Sequence, residues 1–114
     1  MDSSEQTQDH QPAVNTEQAK SGVPIVAIGA SAGGLDPLQT FFSNCPGDLG
    51  VAFVVIQHLP PSGDSALAEL LGKSSDMPVV EIADAMEVQP DRVYVLQPNA
   101  SLSLDGALFR TRSL

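Results

Sequence analysis

Tryptophan is absent from the 114 residues, tyrosine and cysteine occur once each, and only 5 basic side chains stand against 14 acidic ones. At a formal net charge of −9 the chain has no basic patch for a nucleic-acid backbone or an anionic membrane surface, and neither is expected as a partner. Cys45 has no partner for an intrachain disulfide and no second thiolate for a metal, which fits a reducing compartment and a buried or neutral thiol. The two histidines, His10 and His58, lie far apart, so no metal site is expected and the chemistry calls for no cofactor. The longest uninterrupted apolar run, Val51-Ala-Phe-Val-Val-Ile56, is far too short to span a bilayer, and the N-terminus lacks the charged-then-apolar pattern of a secretory signal. A cytoplasmic location without membrane insertion is the expectation.

Apolar side chains are scarce over residues 1–22, where Met1, Ala13, Val14 and Ala19 are all there is. This stretch reads as a disordered polar tail. Residues 23–114 form the folding part, large enough for a small domain but short beside the roughly 200 residues of a large α/β enzyme.

Ile25-Val-Ala-Ile28, with Pro24 before it and Gly29 after, reads as a buried parallel strand. Leu35, Leu38, Phe41 and Phe42 recur at spacings of three and four and predict an amphipathic helix, with Pro37 tolerated in its first turn. Asn44-Cys-Pro-Gly-Asp48 stops that helix, and residues 51–56 give a second buried strand. Strand, helix and strand in so short a span make a βαβ unit, which calls for a parallel sheet. After a loop over residues 58–64, a shorter helix is expected at 65–71, ended by Gly72, and a third strand at 78–82. Beyond it the pattern turns to short strands: Arg92-Val-Tyr-Val-Leu96, then Ser101-Leu-Ser-Leu104 and Ala107-Leu-Phe-Arg110 joined by Asp105-Gly106 as a hairpin.

Gly29-Ala30-Ser31-Ala32-Gly33 matches G-x-S-x-G directly after a strand and directly before a helix. At such an elbow small residues let the chain turn sharply and expose the Ser31 hydroxyl, while N–H groups at the helix start are placed to receive an oxyanion. The competing reading is a Gly-rich turn that binds phosphate, or nothing. It fits no dinucleotide fingerprint, because Ser31 stands where the second Gly belongs, and no Gly-Lys-Ser/Thr follows for a P-loop. His58 follows the second strand as Ser31 follows the first, so both fall at C-terminal ends of parallel strands, where sites of open α/β sheets gather. A serine needs such a base to act as a nucleophile at neutral pH. In α/β-hydrolases the His comes last, after the acid and well away from the elbow, whereas His58 comes second, 27 residues after Ser31, which disfavours that family.

Ile28-Gly-Ala-Ser-Ala-Gly-Gly34 and Gln57-His-Leu-Pro-Pro61 resemble the corresponding segments of the catalytic domain of CheB, the chemotaxis protein-glutamate methylesterase. With Met77-Pro-Val-Val-Glu81 and Val93-Tyr-Val-Leu-Gln-Pro-Asn99, the chain looks most like the version fused to a receptor methyltransferase. The resemblance implies a doubly wound α/β parallel sheet and a Ser-His-Asp triad. It also implies hydrolysis of methylglutamate esters on the cytoplasmic region of methylated chemoreceptors, with glutamine deamidation as a companion activity. Ser31 is then the nucleophile, His58 the general base, and Ala32, Gly33 and Gly34 the oxyanion turn.

The third triad member, an Asp in a Gly-rich segment of the family, is absent from this chain: Asp36, Asp48, Asp64, Asp76, Asp84, Asp91 and Asp105 all stand outside such a segment, and Asp84 and Asp105 read as turn formers. Residues 23–114 are therefore expected to be the N-terminal part of an incomplete methylesterase domain. Residues 1–22 are too short for a receiver domain, which leaves methyltransferase, sensor or receiver domains as partners elsewhere. The alternative function is a non-catalytic fragment of the same fold that binds a receptor or partner domain; a phosphate-binding turn is a weaker third.

Overall fold

The computed structural model describes residues 13–18, 22–30, 35–57, 67–98 and 100–113. The apolar run after Val23 forms strand β2 (Pro24–Ala30), and its in-register parallel neighbour is β3 (Ala52–Gln57). Helix α1 (Leu35–Ser43) connects them, and its buried residues Leu38 and Phe42 are two of the four that the spacing selected. The helix ends where Asn44 and Cys45 donate backbone N–H groups to Phe41 and Phe42, and the Asn44 side chain caps the Thr40 carbonyl at 2.8 Å.

Helix α2 (Leu67–Gly72) leads from β3 to β4 (Val79–Glu81), and its expected first residues, 65 and 66, lie outside the described residues. Strand β6 (Arg92–Val95) then enters between β3 and β4, parallel to both. Since β2, β3 and β4 advance across the sheet in one direction, right-handed crossovers put both helices on one face. There Ile28, Phe53, Val55, Val93 and Val95 pack under Leu38, Phe42, Leu67 and Leu71.

The other face, built from Ile25, Ala52, Val54, Tyr94 and Leu96, is covered by a three-stranded antiparallel sheet through Phe109, with Ile82 and Val88 from the segment after β4 packed beside it. Its strands are β5 (Met86–Glu87), β7 (Ala100–Asp105) and β8 (Leu108–Ser113). The expected Asp105-Gly106 hairpin joins the last two, with Gly106 at φ 64° where an L side chain is strained. The α/β parallel sheet is thus the one expected, with a helical layer on one side and a small sheet on the other.

One expectation is corrected. Ala13–Gln18, assigned to a disordered tail, forms strand β1 antiparallel to β2, so the main sheet runs β1-β2-β3-β6-β4. Composition argued against a core there, but an edge strand needs only backbone groups to pair, and the edge of β2 supplies them.

Candidate functional site at the C-terminal strand edge

The register of β2 and β3 runs from Ile25 opposite Ala52 to Ala30 opposite Gln57. Ser31 is the next residue after Ala30 and His58 the next after Gln57. Ser31, Ala32, Gly33, Gly34 and His58 themselves lie outside the described residues. What is described is their frame. Two adjacent strands, about 4.8 Å apart, end level with each other, and α1 begins at Leu35, with only four residues between it and the end of β2. A strand and a helix joined by so short a connection are the setting that the serine motif requires.

Gly29 belongs to β2 itself: a Cβ added there would meet the Ile56 carbonyl at 3.9 Å, an ordinary contact. Asp36 occupies the first turn of α1 and contributes a negative charge close to the donors of that helix start.

The other described aspartates sit elsewhere. Asp91 marks the opposite edge, where its carboxylate accepts the Gly50 N–H at 2.7 Å and its own N–H reaches the Val51 carbonyl at 2.8 Å. Asp84 lies in a turn of the second sheet, accepting the Thr111 N–H at 2.9 Å beside Arg110 at 3.6 Å. Asp105 closes β7, and Asp48 and Asp76 are exposed in loops. Asp64 lies outside the described residues.

A pair that sequence reasoning missed does reach the site's edge: the Gln97 side-chain amide donates to the Glu81 carboxylate at 3.3 Å, just past β6 and at the end of β4. With β6 between β4 and β3, Glu81 stands two strand spacings from the end of β3, about 10 Å and beyond direct hydrogen-bond reach. Glu81 is the one charged residue of the expected strand 78–82, next to its last residue, and that was the available signal.

Cys45 is buried, and burial pushes its thiol above the ordinary value of 9.0. It is held neutral rather than activated. Among the described residues no three of His, Cys, Asp and Glu gather as metal ligands, and no helix is long and apolar enough to cross a membrane.

A family model described as CheB methylesterase matches residues 26–113. The protein-glutamate methylesterase/protein-glutamine glutaminase of Thermotoga maritima is 38% identical over 89 residues, 78% of this chain and 26% of that protein. A second such protein, from Xanthomonas oryzae pv. oryzae, is 40% identical over 90 residues, 77% of this chain and 25% of that one. Among solved structures, the Thermotoga maritima CheB methylesterase catalytic domain superposes with TM-score 0.67 at 30% identity, covering 83% of this chain and 49% of that one. The chain thus spans about a quarter of the length of these curated relatives and about half of the solved domain.

Proposed function

Since this chain belongs to the CheB methylesterase family, we propose that it carries the nucleophile and base of a protein-glutamate methylesterase that acts on methylated chemoreceptors in the cytoplasm. The observation that supports this reading best is the level ending of β2 and β3, Ala30 opposite Gln57, from which Ser31 and His58 each follow by one residue.

In the mechanism His58 accepts the Ser31 hydroxyl proton as Oγ attacks the ester carbonyl of a methylglutamate side chain. The oxyanion is received by N–H groups of the turn at Ala32 and Gly33 ahead of α1. Collapse expels methanol, which takes the proton from His58. Water, deprotonated by His58, then hydrolyses the acyl-serine and leaves a glutamate carboxylate. On a glutamine side chain the same sequence releases ammonia. The acid that would hold the His58 tautomer belongs to the part of the domain this chain does not cover, on the reading that residues 23–114 are its N-terminal part. Without it turnover falls by roughly four orders of magnitude. Methyltransferase, sensor or receiver domains are the regulatory partners this role implies.

Methanol release from methylated receptor tests the reading. Release abolished by Ser31→Ala and by His58→Ala is expected; equal release by wild type and both variants would sink it. A second reading, a non-catalytic fragment that binds a receptor or partner domain, is favoured by the coverage of 49% of the solved domain. It predicts receptor binding that both alanine variants leave intact, with no methanol released by any form.

A further inference from the structure

The second sheet turns Leu102 and Phe109 towards the main sheet, so by alternation Ser101 and Ser103 of β7 and Arg110 and Arg112 of β8 stand together on its outer face. Ser103 lies opposite Arg110 and Ser101 opposite Arg112. With Asp84 and Thr111 these four line a polar groove of ≈ 400 Å³. Two of the four basic side chains among the described residues are thus two positions apart on one strand, in a chain of net charge −9. The Asp84 carboxylate stands 3.6 Å from Arg110 but also accepts the Thr111 N–H. The Arg112 guanidinium and both serine hydroxyls have no ion pair or hydrogen-bond partner among the described residues. Side by side the two guanidiniums repel each other, and an anion from outside relieves that repulsion.

We propose that this groove docks a glutamate-bearing segment of the receptor substrate, with Arg110 and Arg112 each holding one carboxylate and the serine hydroxyls donating to the remaining oxygens. The proposal rests on the esterase reading above, whose product is a glutamate side chain, so that a segment already worked on carries carboxylates beside the next ester. Spacing suits such a segment. Positions two apart on a strand are about 6.6–7 Å apart, the separation of alternate side chains in an extended peptide, and a helix offers about 5–6 Å at every third or fourth residue, within reach of the long arginine stems. A phosphate group suits the groove less well, because at nearly −2 it is repelled by Asp84 about twice as strongly as a carboxylate. The groove also lies on the right side of the molecule: Ala100, paired with Ser113, is joined to Leu96 at the finish of β6 by at most about 14 Å of chain. Arg112 is therefore the end of the groove nearer the edge where the parallel strands finish.

The test is fluorescence anisotropy of a dye-labelled Ala-Glu-Ala-Glu-Ala peptide titrated with the full chain at low salt, beside its Ala-Gln-Ala-Gln-Ala counterpart. Binding of the glutamate peptide alone is expected. Arg110→Gln with Arg112→Gln, both at exposed positions, should weaken it by about tenfold. Asp84→Asn keeps an acceptor for the Thr111 N–H and frees Arg110, and should tighten it by about threefold. Lys73→Gln, at an exposed cation between α2 and β4, should leave it unchanged. No binding, equal binding of both peptides, or a loss with Lys73→Gln equal to that with the arginine pair would each overturn the proposal. Displacement of the peptide by inorganic phosphate at equal concentration would overturn it in favour of a phosphate site. The readout is association and not turnover: a chain that binds the glutamate peptide and releases no methanol keeps this inference and loses the esterase reading, and one that releases methanol but ignores the peptide does the reverse.

Discussion

Tyr94 is the chain's single tyrosine, and it joins the two sheets. Its ring lies under the second sheet with its centroid 4.8 Å from that of Phe109, while its hydroxyl accepts the Gln89 N–H at 2.9 Å and donates to the Glu87 carbonyl at 3.2 Å. Tyr94→Phe keeps the ring and strips a part-buried N–H of its acceptor, which costs about 1–2 kcal/mol. A lower urea midpoint at unchanged slope is the expected result; an unchanged midpoint would mean that solvent replaces the hydroxyl. The serine motif and its histidine were legible at this same scale because each follows an apolar strand run directly. The Tyr94 anchor was not, since a hydroxyl that satisfies backbone groups five and seven residues earlier leaves no periodic trace in the sequence.

Elements bounded by proline or glycine and filled with apolar residues were readable before any coordinates: β2, β3, α1 and β7 fall within one or two residues of where the runs put them, and β8 runs three residues past its expected end. Those formed by opportunity were not. Strand β1 exists because an edge was open, and β5 is two residues long and owes its pairing to β8. The insertion of β6 between β3 and β4 is likewise a long-range choice that local pattern does not encode. The turn into β5 carries strain that follows from its geometry. Ala85 sits at φ 64° with its N–H held by the Phe109 carbonyl at 2.8 Å, a conformation that costs an L residue roughly 1 kcal/mol. Ala85→Gly relieves it and should raise the melting temperature even after the added freedom of the unfolded chain is subtracted. A lower melting temperature would contradict that account.

For the whole molecule the excess of acid matters more than any single carboxylate. Fourteen acidic side chains stand against 5 basic ones in the 114 residues, and the Asp84–Arg110 pair is about half exposed and contributes little. Self-repulsion opposes compaction, and salt weakens it by shortening the screening length from about 30 Å at 0.01 M to about 8 Å at 0.15 M. The melting temperature should therefore rise over that range in sodium chloride, and a fall would show that attractive pairs dominate instead.

The two ends of the described chain share an address. Ala13 stands level with Gly29 near the finish of β2, and Ser113 pairs with Ala100, four residues past Leu96 at the finish of β6. Anything attached ahead of Ala13 or after Ser113 is consequently tethered on the side where the parallel strands terminate, so an affinity tag or fluorophore intended to leave the segment after Ala30 unobstructed belongs instead at the exposed Gly72 and Lys73, between α2 and β4 at the far rim.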